Sequence, residues 1–209
     1  FHTDACQAAE YLPMDANRLG VDLLTFNGSK LYGSRGVGVL YVRRGLSLRG
    51  RVLGGEQEHG LRAGTENLPA IIGLAKAVLL VDPKAADKTA KLRDQFLKAL
   101  PAIVPRAKVN GPMGDYRLPN NINISIPELD SENLLLELDK YGIRAGGGSA
   151  CTAHSTEPSH VLKAIGVREP YLRGALRFSL GRQTTKKDME YILKMLPEIV
   201  KDLRRRYGM

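Results

Sequence analysis

Short apolar runs rich in β-branched residues alternate with stretches of helical periodicity along this chain. Residues 21–27 and 37–43 are predicted strands, and they flank a Gly-rich turn that contains Lys30. Residues 45–64 combine many glycines with few apolar side chains, which predicts a long loop. A loop of this length inside a compact domain usually serves a function.

Helical spacing begins after this loop. Thr65 is the predicted N-cap of a first helix, whose apolar stripe runs to Leu79. Pro83 interrupts the pattern, and a second amphipathic helix follows it. We therefore predict a domain boundary near residue 83, which divides the chain into 1–83 and 84–209.

The second part continues the alternation and ends in a long amphipathic helix. Its predicted elements are a strand at 121–126, a helix from Ser131 to Tyr141, a Gly-rich loop at 146–148, a helix at about 158–165, a strand at 176–180, and a last helix capped by Thr185 and Asp188. This alternation predicts the α/β class for the chain, with a smaller α+β part after residue 83.

Composition narrows the function classes. The formal net charge is +9, but aromatic residues do not interleave with the basic clusters as a base-stacking surface requires. We interpret the basic run at 204–206 as a solvated face or a docking patch for an acidic protein, not as a nucleic-acid site. No apolar run reaches the length of a membrane span. Two distant cysteines and four scattered histidines argue against a disulfide framework and a metal site, so we expect a cytoplasmic protein without a metal.

Two residues in the first part are candidates for cofactor chemistry. Lys30 lies in a Gly-flanked turn after a strand, where a lysine is ordinarily a surface residue, although a Schiff-base lysine needs such rigid presentation. Asp4 lies at the end of a predicted strand. Its carboxylate either caps the next turn or pairs with a protonated pyridine nitrogen. Each residue taken alone leaves both interpretations open.

Four motifs together resemble a known family. They are His2-x-Asp4-Ala5-x-Gln7, Asn27-Gly28-Ser29-Lys30-x-Tyr32-Gly33, Gly54-Gly55-x-Gln57-Glu58-x-Gly60-x-Arg62-x-Gly64-Thr65 and Gly146-Gly147-Gly148-Ser149-Ala150-Cys151. The combination resembles the cysteine desulfurases of the NifS and IscS type, in the class V aminotransferase group of fold-type I pyridoxal enzymes. The Gly-Ser-Ala-Cys motif is the most specific of the four.

The resemblance implies pyridoxal 5'-phosphate as the cofactor. Lys30 is then the residue that binds the cofactor covalently. Asp4 pairs with the pyridine nitrogen of the cofactor, and Gln7 contacts its phenolic oxygen. Asn27 and Ser29 are implied phosphate contacts. They depart from the family, which often has Ser and His at these two positions.

Further matches imply the thiol, the substrate contact and the assembly. Cys151 is the implied nucleophile, which takes sulfur from L-cysteine as a persulfide, and the preceding glycines suit a thiol on a mobile tether. Arg177 is the implied partner of the substrate α-carboxylate. Thr65 matches a residue that contacts the cofactor phosphate of the other subunit, which implies a homodimer. Cys6 we interpret as a small packing residue beside Asp4.

The implied activity is conversion of L-cysteine to L-alanine, with the sulfur passed to an iron–sulfur scaffold or another acceptor protein for cluster or thionucleoside assembly. The resemblance covers only the C-terminal half of such an enzyme. We therefore expect a fragment, inactive alone, with the last part of a large cofactor-binding domain at 1–83 and a small C-terminal domain at 84–209. Two alternatives stay open: a selenocysteine lyase or other class V pyridoxal enzyme, and a truncated interaction module without activity.

Overall fold

The chain forms two compact units, Phe1–Lys84 and Ala85–Met209. A computed structural model describes residues 1–147 and 158–209. No helix within these two ranges is long and apolar enough to cross a membrane. The assignment of the two stretches to a large and a small domain stays a prediction.

The first unit is built on a three-stranded sheet. Its strands, in spatial order, are β1 (His2–Asp4), β2 (Leu23–Asn27) and β3 (Gly38–Val42). β1 runs parallel to β2, and β2 runs antiparallel to β3. The short helix α1 (Ala16–Leu19) lies in the connection between the two parallel strands. The strands predicted at 21–27 and 37–43 are thus confirmed to within a residue or two.

The long loop after β3 is confirmed, but the start of the next helix is not where the sequence predicts it. The loop contains a 3₁₀ turn at Gln57–Gly60, and helix α2 spans Leu68–Leu79. The N-cap of α2 is Asn67, whose side-chain oxygen accepts a hydrogen bond from the backbone N–H of Ala70 at 3.3 Å. The prediction of Thr65 as the cap is therefore wrong. Asn caps a helix better than Thr, and the proline that follows in the first turn needs no N–H partner.

The second unit packs helices against an antiparallel sheet. Its elements in chain order are α3 (Pro83–Ile103, which begins at the end of the first unit), β4 (Lys108–Val109), β5 (Asn121–Ser125), α4 (Ser131–Lys140), α5 (His160–Ala164), β6 (Ala175–Ser179) and α6 (Lys186–Arg206). The strand order is β4-β5-β6. Phe96, Leu134, Leu176 and Leu196 are fully buried in the core that α3, α4, β6 and α6 share.

Of the two helix caps predicted in the second unit, one is confirmed and the other is wrong. Thr185 and Asp188 form the predicted capping box at the start of α6. For α4 the predicted cap, Ser131, is wrong by one residue. Asp130 is the N-cap and accepts a hydrogen bond from the N–H of Glu132 at 2.8 Å, and its charge also suits the positive end of the helix.

Two buried arginines hold the loop between β4 and β5. Arg93 on α3 donates from Nη1 to the carbonyls of Arg117, at 2.8 Å, and Leu118, at 3.1 Å. Arg117 donates to the carbonyl of Pro112 at 2.7 Å and to the side chain of Asn121 at 2.8 Å. Burial lowers the pKa of Arg117, and the charge of Arg93 lowers it further. The two guanidinium groups thus supply donors that the loop carbonyls would otherwise lack.

We expect Arg93→Met to lower the free energy of unfolding of the second unit by about 2–4 kcal/mol, because two carbonyls would lose a charged donor inside the fold. Lys98→Met, on the exposed face of the same helix, is the matched control and should change it by less than about 0.5 kcal/mol. Urea unfolding followed by circular dichroism measures both. Equal losses in the two variants would contradict the role given to Arg93.

Candidate functional site

The turn after β2 presents Lys30 on a rigid support. Residues Gly28–Lys30 form a 3₁₀ turn, and Leu31, which is 1% exposed, anchors it in the core. Gly28 is buried, and a Cβ atom there would lie 2.4 Å from the carbonyl oxygen of Ser34, so the turn requires glycine at this position. Lys30 itself is exposed. The fold therefore meets the requirement for a firmly held lysine with an accessible amine.

Asn27 caps this turn with its side chain. Its Oδ1 accepts a hydrogen bond from the backbone N–H of Lys30 at 3.1 Å and another from the Ser29 hydroxyl at 2.9 Å. Its Nδ2 donates to the sulfur of Cys6 at 3.3 Å. Both polar atoms of the amide thus have partners within the first unit, although Nδ2 keeps a second N–H.

Asp4 lies at the C-terminal end of β1, beside the strand that leads to Lys30. Because β1 and β2 are parallel, their C-terminal ends meet at one edge of the sheet, which is where α/β sheets bind ligands. One carboxylate oxygen of Asp4 accepts a hydrogen bond from the N–H of Cys6 at 2.9 Å. That bond and one from the Cys6 thiol lower the pKa of Asp4, and the charge of His2 lowers it slightly more. The carboxylate is therefore ionised at neutral pH.

An ionised, exposed carboxylate and an exposed lysine at one sheet edge suit a cofactor that needs both an amine and an anionic partner for a ring nitrogen. Gln7 is also exposed and lies in the turn that follows Asp4. The side chains of Asn27 and Ser29 are half-buried and exposed, respectively. The Ser29 hydroxyl would have to turn away from Asn27 to donate to a phosphate. The roles of these residues as cofactor contacts stay predictions.

Thr65 has a different setting from the one expected. It is exposed and lies in the loop two residues before the cap of α2, so it is not itself at the helix N-terminus. A contact of its hydroxyl with a phosphate stays a prediction. A helix dipole acts on groups at the helix N-terminus, so it does not directly support a phosphate contact of Thr65.

Arg177 lies in the middle of β6, in the second unit, next to the root of the Gly-rich loop. Gly146 and Arg177 exchange two backbone hydrogen bonds, of 2.9 and 2.6 Å. Gly147 then passes so close to the start of α4 that a Cβ atom there would lie 2.9 Å from the hydroxyl of Ser131. The predicted nucleophile, Cys151, lies outside the described residues. Its loop nevertheless starts from a point fixed to the strand of Arg177.

The guanidinium of Arg177 has spare donor capacity. Its Nε is buried, and no residue in the described ranges supplies it with a hydrogen-bond acceptor. A buried unpaired N–H is costly, so such a group favours an anionic ligand that can pair with it. This is the property expected of a carboxylate-binding arginine, and that role stays a prediction.

The basic run at the end of α6 is partly used within the fold. Arg206 donates to Glu137 on α4 at 2.5 Å, and Arg205 pairs with Asp202 at 3.2 Å. Glu137 also pairs with Lys140 at 2.8 Å, and these two partners lower its pKa. The run is therefore not a fully free positive patch, and a role in docking an acceptor protein stays a prediction.

Comparison with known proteins assigns the class. The model of the aminotransferase class V family matches residues 1–192. The chain therefore belongs to the class V aminotransferase family, and its mixed α/β architecture agrees with the fold-type I enzymes of that group. The fold and family predicted from the sequence are confirmed.

Among individual proteins the chain is similar to cysteine desulfurases. It is 45% identical over 207 residues to a cysteine desulfurase of Nostoc, which covers 98% of this chain and 52% of that protein. It is 44% identical to cysteine desulfurase IscS of Dictyoglomus turgidum, with the same coverage. The X-ray structure of a NifS-like protein from Rickettsia africae superposes with a TM-score of 0.85 at 30% identity and covers 96% of this chain and 53% of its own. The chain thus spans about half the length of the relatives it matches.

Proposed function

We propose that this chain is the part of a cysteine desulfurase that carries the cofactor lysine and the sulfur-accepting cysteine. The observation that carries the proposal is the placement of Asp4 and Lys30 at the same edge of a parallel strand pair. An aminotransferase would need that pair too, but it would not need a thiol. The Gly-Ser-Ala-Cys sequence that ends at Cys151 therefore favours sulfur transfer.

The residues present fit pyridoxal 5'-phosphate. Asp4, ionised at neutral pH, would pair with the protonated ring nitrogen, and Lys30 would hold the cofactor covalently. Gln7, Asn27, Ser29 and, from a second subunit, Thr65 would complete its contacts. When bound, the cofactor supplies an electron sink for the bonds around the substrate Cα.

Three side chains of this chain would then act on L-cysteine, each in a different step. Arg177 would bind the α-carboxylate and fix the orientation of the substrate. Lys30 would move the Cα proton. The thiolate of Cys151 would attack the substrate sulfur, so that the new S–S bond forms as the carbon–sulfur bond breaks. Delivery of one proton to the β-carbon and return of a proton to Cα from Lys30 complete L-alanine and leave a persulfide on Cys151.

The remaining parts of the proposal concern the assembly. We infer a homodimer of the whole protein and transfer of the persulfide to an iron–sulfur scaffold or another acceptor protein. The similarity to a protein named cysteine desulfurase IscS supports the sulfur-transfer part of this proposal. A cytoplasmic location and the absence of nucleic acid from the function remain part of the same proposal.

The two cysteines provide the test. In the whole protein, Cys151→Ser should bind the cofactor and L-cysteine but form no persulfide, because the hydroxyl is a far weaker nucleophile toward sulfur than a thiolate. Cys6→Ser is the control and should form persulfide at nearly the parent rate. Alanine release and alkylation of the persulfide, read by mass spectrometry, measure both. Persulfide loss in Cys6→Ser, with Cys151→Ser active, would reverse the two roles.

A further inference from the structure

Cys6 lies between the two groups on which the proposed chemistry depends. It is half-buried in the turn after β1. Its backbone N–H donates to the carboxylate of Asp4 at 2.9 Å, and its sulfur accepts a hydrogen bond from Nδ2 of Asn27 at 3.3 Å. The sequence interpretation of Cys6 as a simple packing residue does not account for either contact.

Asn27 continues the connection to the lysine. Its Oδ1 is the acceptor for the backbone N–H of Lys30 and for the Ser29 hydroxyl. A continuous series of hydrogen bonds therefore runs from the Asp4 carboxylate through Cys6 and Asn27 to the turn that presents Lys30. The middle link, between Cys6 and Asn27, joins different parts of the chain, since Cys6 follows β1 whereas Asn27 ends β2, and the links to Asp4 and Lys30 are local.

We propose that Cys6 is a positioning residue, whose sulfur fixes the orientation of the Asn27 amide and thereby couples Asp4 to the turn that carries Lys30. The inference rests on the proposed function for the meaning of Asp4 and Lys30, but the coupling itself does not require a cofactor. It assigns a role to a residue outside the implied catalytic set.

The physical reason lies in the two ends of an amide. An Asn side chain can exchange the positions of its oxygen and nitrogen by a half-turn, and the hydrogen-bond partners decide which orientation is stable. With sulfur as the acceptor for Nδ2, the oxygen of Asn27 faces Lys30 N–H. Without that acceptor, only the two bonds to the oxygen would hold the amide. A half-turn, which would direct an NH₂ group at the N–H of Lys30 and remove the cap of the turn, would then be less strongly disfavoured.

The charges around the thiol agree with this arrangement. Burial raises the pKa of Cys6, and the hydrogen bond to Asp4 and the charge of Asp4 raise it further, whereas the charge of Lys30 and the Asn27 hydrogen bond lower it in part. The thiol is therefore protonated at neutral pH and unsuited to be a nucleophile. His2 lies nearby, and its charge lowers the pKa of Asp4.

The first test needs no cofactor. It uses the cofactor-free whole protein, with every other cysteine changed to serine, and follows the pH profile of iodoacetamide alkylation at Cys6. Asp4→Asn should move the midpoint to lower pH, because it removes a charge that disfavours the thiolate. Asn27→Ala should move the midpoint to higher pH, because it removes a donor that favours the thiolate. A midpoint unmoved in either variant would show that the thiol does not join these side chains.

The second test uses pyridoxal phosphate as the probe, with Cys151 intact. Cys6→Val and Cys6→Ala remove the acceptor, whereas Cys6→Ser restores one. We expect the Val and Ala variants to lose about tenfold in kcat with KM for cysteine within about twofold, and to shift the pH titration of the absorbance of the lysine-bound cofactor. The Ser variant should stay close to the parent in all three. Cys6→Ala provides the measurement if the larger valine prevents folding.

The outcomes distinguish a failure of the positioning role of Cys6 from a failure of the proposed function. Val and Ala variants that match the parent, or a Ser variant as impaired as they are, would overturn the positioning role. A parent protein that binds no pyridoxal phosphate, while both alkylation midpoints move as expected, would reject the proposed function and uphold the coupling.

Discussion

Lys30→Ala should reduce alanine release from cysteine by at least about a thousandfold in the whole protein. The change removes the covalent attachment of the cofactor and the group that moves the Cα proton, and each of these contributions is large. The turn itself should survive, because Asn27 caps the backbone N–H of residue 30 and the buried Leu31 anchors the turn, and neither contact uses the lysine side chain. The loss should therefore be chemical and not structural.

Two control variants distinguish the loss of the lysine's chemistry from a loss of the fold or of the positive charge. Lys76→Ala removes another exposed lysine of the first unit, on α2, and should leave the rate within about twofold. Lys30→Arg keeps the positive charge but cannot form the covalent bond, so it should be as inactive as the alanine variant. Thermal unfolding by circular dichroism should be unchanged in all three. Turnover of Lys30→Ala within tenfold of the parent would exclude this lysine as the catalytic group.

The 209-residue chain expressed alone should be colourless with added pyridoxal phosphate and inactive, and its first unit should be poorly ordered. Helix α2 has apolar residues on more than its core-facing side: Leu68, Ile72 and Leu79 are exposed, Leu79 by 80%. A helix that is apolar on several faces is normally covered on all of them. Among the described residues β1 pairs only with β2, so its other edge is open. Open strand edges and apolar patches both promote aggregation.

The second unit should behave differently, since it buries its own core. Hydrogen exchange followed by mass spectrometry should find slow exchange in α3, β5 and α6 and fast exchange in β1 and α2. Adding the remaining half of a relative, in the same chain or as a second polypeptide, should restore a yellow dimer. Leu79→Glu should weaken that restoration, whereas Ile165→Glu, an exposed apolar site in the second unit, should not. Cofactor binding and alanine release by the isolated chain would contradict the expectation.

Local patterns predicted the supports of the site well. The strands that flank Lys30, the strand end at Asp4 and the capping box at Thr185 all follow from nearest-neighbour chemistry, and each is present. The choice of Asn67 over Thr65 as a cap was also within reach, because the proline in the first turn marked the true start. What the sequence does not carry is pairing between distant segments.

Cys6 and Arg93 illustrate that limit. Cys6 contacts Asn27, 21 positions later, and Arg93 contacts carbonyls 24 and 25 positions later. In the sequence, the first is a lone cysteine and the second an ordinary charged residue on an amphipathic helix. Only the folded chain brings a donor and an acceptor together in each case. The sequence therefore identifies a candidate functional lysine more readily than the contacts that hold it in place.

The two backbone hydrogen bonds between Gly146 and Arg177 fix the point at which the chain segment that leads to Cys151 begins. This fixed point is bonded to β6, the strand that contains the proposed carboxylate-binding residue, Arg177. Cys151 is four positions beyond Gly147, so its Cα atom lies at most about 14 Å from the Cα atom of Gly147, whatever path the backbone takes. Insertions or deletions between Gly147 and Cys151 would lengthen or shorten the distance that the thiol can reach, without moving Arg177. Under the proposed function, variation in the length of this segment would change which acceptor proteins the persulfide can reach and would leave the proposed carboxylate contact of Arg177 unchanged.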